Sequence, residues 1–404
     1  MPLTPNLIVP IDFYLPNPED VQQVSSISYE KALMEAQSRE EKAFEDSFLK
    51  ILNPHLLTKG QLGMHQPDYP ASRAILSRLL SQGKLSATER PEMFVYHQKN
   101  SFGSFVGLIC GVSIEAYQQN KVKKHELTQT PKENAICDFF EQVKVNGSQV
   151  LLTYPKNEKV NQVLNACQES KPLYDFHDTL GDWHQVWALS SEQQNSLQKL
   201  FDEIGCLYIA DGHHRSAASD RYAQKNSQFT HFMGLLIAEN DLKTFRYHRF
   251  VKTAALDFSF DFATFLKELE GDFELMGKGS EPEENLINIY WEDRYHHLRF
   301  RKPEILEQKY EQLEVSIINR FIFEKVLKIE NVRSDDRILY IDGQEPLVDS
   351  IRNAKSSGAP LGFVCPKVGI QKVMEVADEG STLPPKSTWI LPKLRSGMII
   401  HRFP

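Results

Sequence analysis

Apolar positions along the chain recur in two rhythms, and the alternation between them organises the sequence. Compact apolar runs at Met93–Gln98, Ser104–Val112, Val150–Tyr154, Asp182–Leu189, Cys206–Ala210 and His231–Ala238 have the length and composition of strands. Stretches with apolar residues three and four apart predict helices over Val160–Cys167, Ser191–Ile204 and Arg215–Lys225, and Lys121–Val143 reads as a loop entering a helix. Upstream, an irregular proline-rich arm gives way to a charged helical stretch over Ser28–Leu52. A second helix is expected within His65–Leu85, punctuated by Pro70 near its start and Gly83 near its end. Beyond Asp241 the pattern predicts strands at Asn285–Trp291, His296–Arg301, Arg337–Asp342 and Phe363–Val368, a helix over Val315–Leu327 and a proline-rich tail. Strands interleaved with helices predict a mixed α/β (α+β) fold.

Composition narrows this picture without changing it. The chain has 404 residues, of which 41% are hydrophobic and 25% charged, and this excludes a disordered, collagen-like or coiled-coil protein. With no internal repeat and no low-complexity linker, three regions with soft boundaries are expected: 1–120, 121–238 and 239–404. A formal charge of −8 offers no clustered positive surface for duplex nucleic acid, so nucleic acid is not an expected partner. No apolar run approaches the roughly 20 residues of a membrane span, and the N-terminal residues lack a signal-peptide pattern. The five cysteines are scattered, with no CxxC pair. Together these features predict a cytoplasmic protein with reduced thiols and no membrane partner.

Three segments concentrate chemistry. In Cys206–Ala218 a short apolar strand runs into Asp211-Gly212-His213-His214-Arg215 and then into small residues that start a helix. Amides at a helix N-terminus carry partial positive charge and bind phosphate oxygens, Gly212 allows close approach, and Arg215 can grip a phosphate through two donors. The same residues could also form a capped turn in which Asp211 bonds amides and the histidines face solvent. In Lys123–Thr128, Glu126 stands beside His125, Lys123 and Lys124, which suits a general base held ionised, or a solvated helix entrance. In Leu383–Gly397, Lys386, Ser387, Thr388, Lys393 and Arg395 lie among prolines that stiffen the backbone, either as an anion-contacting loop or as a strap over the core. Tyr247–Phe250 reads as a ligand contact or an edge strand with solvated polar residues. Neither GxSxG, nor a Walker loop, nor GxGxxG is present.

The strings ADGHHR (Ala210–Arg215), KKHELT (Lys123–Thr128) and PPKSTWILPKLRSG (Pro384–Gly397), with EVSIINRFIF and YHRF, resemble in order and over nearly the whole chain the family of unknown function DUF1015. The DGHHR element is similar to the phosphate-binding box of the ParB/sulfiredoxin superfamily. That superfamily includes free serine kinases, which phosphorylate the free amino acid with ADP or ATP and carry a comparable His-Glu segment. The resemblance implies a ParB/sulfiredoxin-like nucleotide-binding core at 121–238 between N- and C-terminal α+β regions. Carried over, Glu126 becomes the catalytic base with His125 beside it, and Asp211 through Arg215 become the phosphate cradle. Lys386, Ser387, Thr388 and Lys393 are added as nucleotide contacts. The implied cofactors are ATP or ADP with Mg2+, and the implied substrate is a small hydroxyl metabolite, free L-serine among the candidates. The chain departs from that pattern in two places: after Arg215 it has Ser216-Ala217 where the family commonly has a tyrosine and an acidic residue, and after His-Glu it has Glu133-Asn134-Ala135 where the family shows an acidic–arginine pair. No dedicated metal ligand set is expected. Two other activities fit the same residues: a nucleotide hydrolase with a metal on Asp211, His213 and His214, or a nucleotide-responsive binding protein without turnover.

Overall fold

The structure, a computed structural model, describes residues 6–26, 45–53, 67–332 and 335–404. The predicted helix Ser28–Leu52 lies outside the described residues except at its end, where Phe48–Leu52 is helical under a Ser47 cap. The chain forms two compact units, Met1–Leu242 with Pro392–Pro404, and Lys243–Leu391. The mixed α/β architecture agrees with the pattern read from sequence, but the divisions do not. Position 120 is no boundary, because strands from both sides of it share one sheet, and the region 239–404 is divided between the units. Backbone pairing, which the apolar pattern does not encode, decides both points.

The first unit is built on a nine-stranded mixed sheet. Its main path runs Val122–Lys123, Leu207–Asp211, Val150–Tyr154, His231–Ala238, Gly103–Ser113, Phe94–Asn100, Trp183–Ala188 and Tyr174–His177. The central strands Val150–Tyr154 and His231–Ala238 are buried almost throughout and pair in parallel, which is why they read as continuous apolar runs. Helices cover the sheet through apolar stripes. Ser191–Ile204, opened by a capping box of Ser190 and Gln193 and closed by Gly205 in the left-handed region, buries Leu197, Leu200 and Phe201. Phe201 packs edge-on against Tyr154 at 4.8 Å between ring centroids, one of many contacts in which a fully buried side chain contributes about 1.5–3 kcal/mol. The C-terminal strand Ile400–Arg402 returns to this unit and joins a four-stranded antiparallel sheet with Phe13–Pro16 and Val145–Asn146.

The second unit carries a six-stranded antiparallel sheet in the order Phe273–Gly279, Arg294–Phe300, Ile287–Trp291, Leu361–Val364, Tyr247–Val251 and Ile338–Asp342. Tyr247–Val251 therefore has a neighbour on each side and is buried along its length. The expected edge strand with solvated polar residues is not found: the Arg249 and His248 side chains are buried. The predicted helix Val315–Leu327 is an α-helical turn, Glu314–Ile317, that widens into a π-helix over Ile318–Glu324. All five cysteines are free thiols. Among the described residues no helix is long and apolar enough to cross a membrane.

Candidate functional site

Sheet pairing in the first unit brings two of the sequence motifs together. The strand Leu207–Asp211 pairs antiparallel with Val150–Tyr154 on one side and parallel with Val122–Lys123 on the other, Leu207 opposite Val122 and Tyr208 opposite Lys123. Parallel neighbours end at the same edge of a sheet. The residues that follow each strand, His125-Glu126 and Gly212-His213, therefore leave side by side. The register shifts between Ile209 and Asp211, a local irregularity of the kind that re-aims a strand end next to a site. The sequence reads as a loop at Val122–Lys123, because a two-residue strand leaves no periodic signal.

Gly212 converts strand to helix in one step. Its φ of 103° lies in the left-handed region, and a Cβ there would sit 2.9 Å from a guanidinium nitrogen of Arg215, so a side chain is excluded both by conformation and by space. The helix begins at His213, two residues before the predicted start, with the amides of Arg215 and Ser216 donating to the Gly212 carbonyl. Its first-turn amides carry the positive end of the helix dipole.

The two histidines do something other than face solvent. His214 Nε2 accepts the Gln129 amide at 3.1 Å, and His213 Nε2 lies 3.5 Å from the His125 amide, the outer limit of a hydrogen bond. Each ring thus ties the loop carrying Glu126 to the start of the helix. Accepting at Nε2 leaves His213 with its proton on Nδ1, which faces a carboxylate oxygen of Glu126 at 3.8 Å. His213 is buried, and its pKa is held well below the ordinary value first by that burial and then by His125. The approach to Glu126 is therefore that of a neutral N–H to a carboxylate, with a gap wider than a hydrogen bond. His125 packs edge-on against His213, 4.4 Å between centroids. Burial lowers the His125 pKa to about 4, against a backbone hydrogen bond at Ile209 and the charge of Asp211, and its Nδ1 is buried without a hydrogen-bond partner. A second tie runs through Glu133, which accepts from the Thr128 hydroxyl and from Arg221 at 2.6 Å. Arg221 comes from the helix His213–Lys225, so this contact ties that helix to the start of the helix Thr130–Val143.

Asp211 supplies the negative charge of the turn. Burial alone would raise its pKa, but Lys393, 3.1 Å away, and Arg215 outweigh that and hold the carboxyl below the usual carboxylate range. Lys123 and Lys124, expected to support Glu126, set their ammonium groups over the rings of Tyr208 and Tyr117. Glu126 itself is 37% exposed, open to a ligand arriving from solution.

The sequence model of a family described as a protein of unknown function, DUF1015, matches residues 8–316 of this chain. The chain belongs to that family. No curated protein matches it at a significant level. Among solved structures, it is similar to a mutant free serine kinase in complex with ADP, at 14% identity and a TM-score of 0.38 over 72% of this chain and 92% of that one. It is likewise similar to a C-terminally truncated SbnI from Staphylococcus aureus, at 11% identity and a TM-score of 0.38 over 72% and 87% of the two chains. A conserved hypothetical protein from Pyrococcus furiosus matches at 12% identity and a TM-score of 0.35 over 72% and 95%.

In this DUF1015 protein the proline-framed motif is divided between the units, Lys393 in the first and Lys386, Ser387 and Thr388 in the second. Within the second unit the Ser387 hydroxyl donates to the Pro384 carbonyl, Arg249 donates to the carbonyls of Pro385 and Lys386, and the Lys386 ammonium lies over the Tyr247 ring. The YHRF strand thus clamps the PPKST turn, a pairing that two distant motifs do not reveal in sequence. The metal reading of the turn is not supported. Among the described residues the group with clustered metal-ligand atoms is Asp178, Asp182 and His184, not Asp211, His213 and His214. Asp178 there is already engaged by Arg395 at 2.9 Å and His184 at 3.2 Å.

Proposed function

We propose that this protein is a nucleotide-dependent phosphotransferase acting on a small hydroxyl metabolite, with free L-serine among the acceptors to be tried. The observation that carries the reading is the placement of the Glu126 carboxylate 3.8 Å from His213, at the first turn of the helix that follows Gly212. Phosphoryl transfer asks mainly for positioning and charge neutralisation, and helix amides, Arg215 and Lys393 supply both. In the proposed reaction the acceptor hydroxyl oxygen attacks the terminal phosphorus of ATP or ADP. The bond from that phosphorus to the leaving nucleotide breaks, and the hydroxyl proton passes to Glu126. His213 and His214 fix the loop that carries the base, and His125 acts as a positioning residue, since a buried imidazole with a pKa near 4 stays neutral. A magnesium ion, which such sites hold with few carboxylates, would supply further neutralisation of the phosphate charge; Asp211, the carboxylate of the turn, is already engaged by Lys393 and Arg215.

The test is incubation of the purified protein with ATP or ADP, magnesium and a pool of hydroxyl metabolites, followed by detection of new phosphoesters. A new phosphoester, absent when the nucleotide is omitted, is the expected result. Release of inorganic phosphate alone would favour a hydrolase, and tight nucleotide binding without turnover would favour the binding-protein reading.

A further inference from the structure

Arg215 belongs to two places. Its guanidinium lies beneath the Gly212 turn, and the same side chain lines a cavity of about 370 Å3 on the flank of the helix Thr130–Val143. Tyr69, Ile136, Phe139 and Phe140 give that cavity an apolar, largely aromatic lining, to which Asn146 and Ser148 add polar groups beside Arg215. Ligand cavities of about 300–1,000 Å3 with mostly apolar walls and a few polar groups are the ordinary form of a small-molecule site. Two charged residues line it: Asp68, whose carboxylate accepts the Ala71 amide as a helix cap, and Arg215, which also lies against the turn, so the occupant that fits both cavity and turn carries an apolar, stackable body joined to an anion.

We infer that this cavity receives the nucleoside end of the phosphate donor, with its phosphates reaching the Gly212 turn past Arg215. The inference rests on the reading of that turn as a phosphate cradle. A nucleobase has flat apolar faces that stack on aromatic rings and polar edges that meet groups such as those of Asn146 and Ser148. Helix geometry adds a direction. His213 and Arg215 are two positions apart and so point about 200° from each other around the helix axis. The donor then approaches on the Arg215 side, while the acceptor meets Glu126 on the His213 side. Such an arrangement keeps the two substrates from competing for one space.

Calorimetry on the full chain with ADP and with inorganic pyrophosphate separates the cavity from the cradle, because pyrophosphate has the diphosphate charge and no nucleoside. Ala135 lines the cavity from an exposed position on its helix, so Ala135→Trp fills the space without disturbing the core. Tyr69→Ala, at a half-buried ring, removes one stacking wall instead. Wild type should bind ADP about tenfold or more tightly than pyrophosphate, the scale of one stacked base. Both variants should lose most of that advantage while binding pyrophosphate as before, with a cooperative thermal transition confirming the fold, unchanged in midpoint for Ala135→Trp and lowered for Tyr69→Ala, whose ring packs against the core. Equal affinity for ADP and pyrophosphate in wild type, or ADP binding unmoved in both variants, would overturn the inference and leave the cradle standing. If wild type binds neither ligand, cradle and cavity readings fall together.

Discussion

Two polar clusters in the first unit use the same residue types to opposite ends. At the end of the strand Trp183–Ala188, Tyr96 donates to His184 Nδ1 at 2.8 Å, His184 donates to Asp178 at 3.2 Å, and Arg395 donates to Asp178 at 2.9 Å. The remaining nitrogens of Arg395 reach Ser25, and the side chains of Asp178, His184 and Arg395 are each 7% exposed or less. Burial pushes the Asp178 pKa up, yet His184 and Arg395 prevail and hold it at about 2. That network is closed on itself and ties the returning C-terminal segment to the sheet. Around Gly212 the same kinds of group are arranged differently: a buried imidazole nitrogen of His125 has no hydrogen-bond partner, and the Glu126 side chain beside His213 is 37% exposed. Closed networks stabilise a fold, whereas open ones wait for a ligand.

The sharpest way to break this contrast is to change the carboxylate in each cluster. Glu126→Gln keeps shape but takes no proton, so phosphoester formation should fall by two to four orders of magnitude, about the worth of one general base. Its thermal midpoint should stay near that of wild type. Turnover unchanged in the variant would remove Glu126 from the proposed chemistry. Asp178→Ala should do the reverse, leaving Arg395 buried without its carboxylate and costing about 3–5 kcal/mol of stability. Denaturant unfolding reads this directly, and a loss below about 1 kcal/mol would mean that the network holds nothing together.

Acid should act on the buried histidines, His184 of the closed network among them, before it reaches Asp178. His125 and His401 are buried and have pKa values pressed down to about 4 and about 3, chiefly by burial. The unfolded chain takes up their protons near the ordinary histidine pKa of about 6.5 while the folded chain does not. Stability is therefore full above about pH 6.5 and declines as pH falls towards 4, by up to about 1.4 kcal/mol per pH unit for each such histidine. Asp178 works in a lower window. Its contribution is present above the ordinary carboxylate value of about 3.8 and is lost only as pH falls through about 2. Thermal midpoints at pH 7, 5.5 and 4.5 should therefore drop steadily, and His125→Asn should flatten the slope. A flat profile over that range would show that these histidines charge freely in the folded protein.

Much of the local structure was legible in the sequence, because local structure depends on local pattern. Ser191–Ile204 is legible from its apolar spacing, and the strand–Gly–helix turn at Gly212 from a short apolar strand, a glycine and a run of small residues; the structure adds the Ser190 cap, the Gly205 stop and the close approach of Arg215 to Gly212. The motifs DGHHR and KKHELT were visible as unusual polar strings, and the family followed from their order. What the string could not convey is who meets whom. That Glu126 reaches His213 follows from a parallel pairing of two residues with Leu207 and Tyr208, too short to leave a periodic trace. Likewise, the contact of Arg221 with Glu133, the burial of Arg249 inside a sheet, and the split of the proline-framed motif between units are products of long-range pairing. Residue type and spacing set which chemistry is possible here. Strand order and register determine which groups come within reach, and burial then decides which of them remain open to a ligand, because both depend on residues distant in the chain.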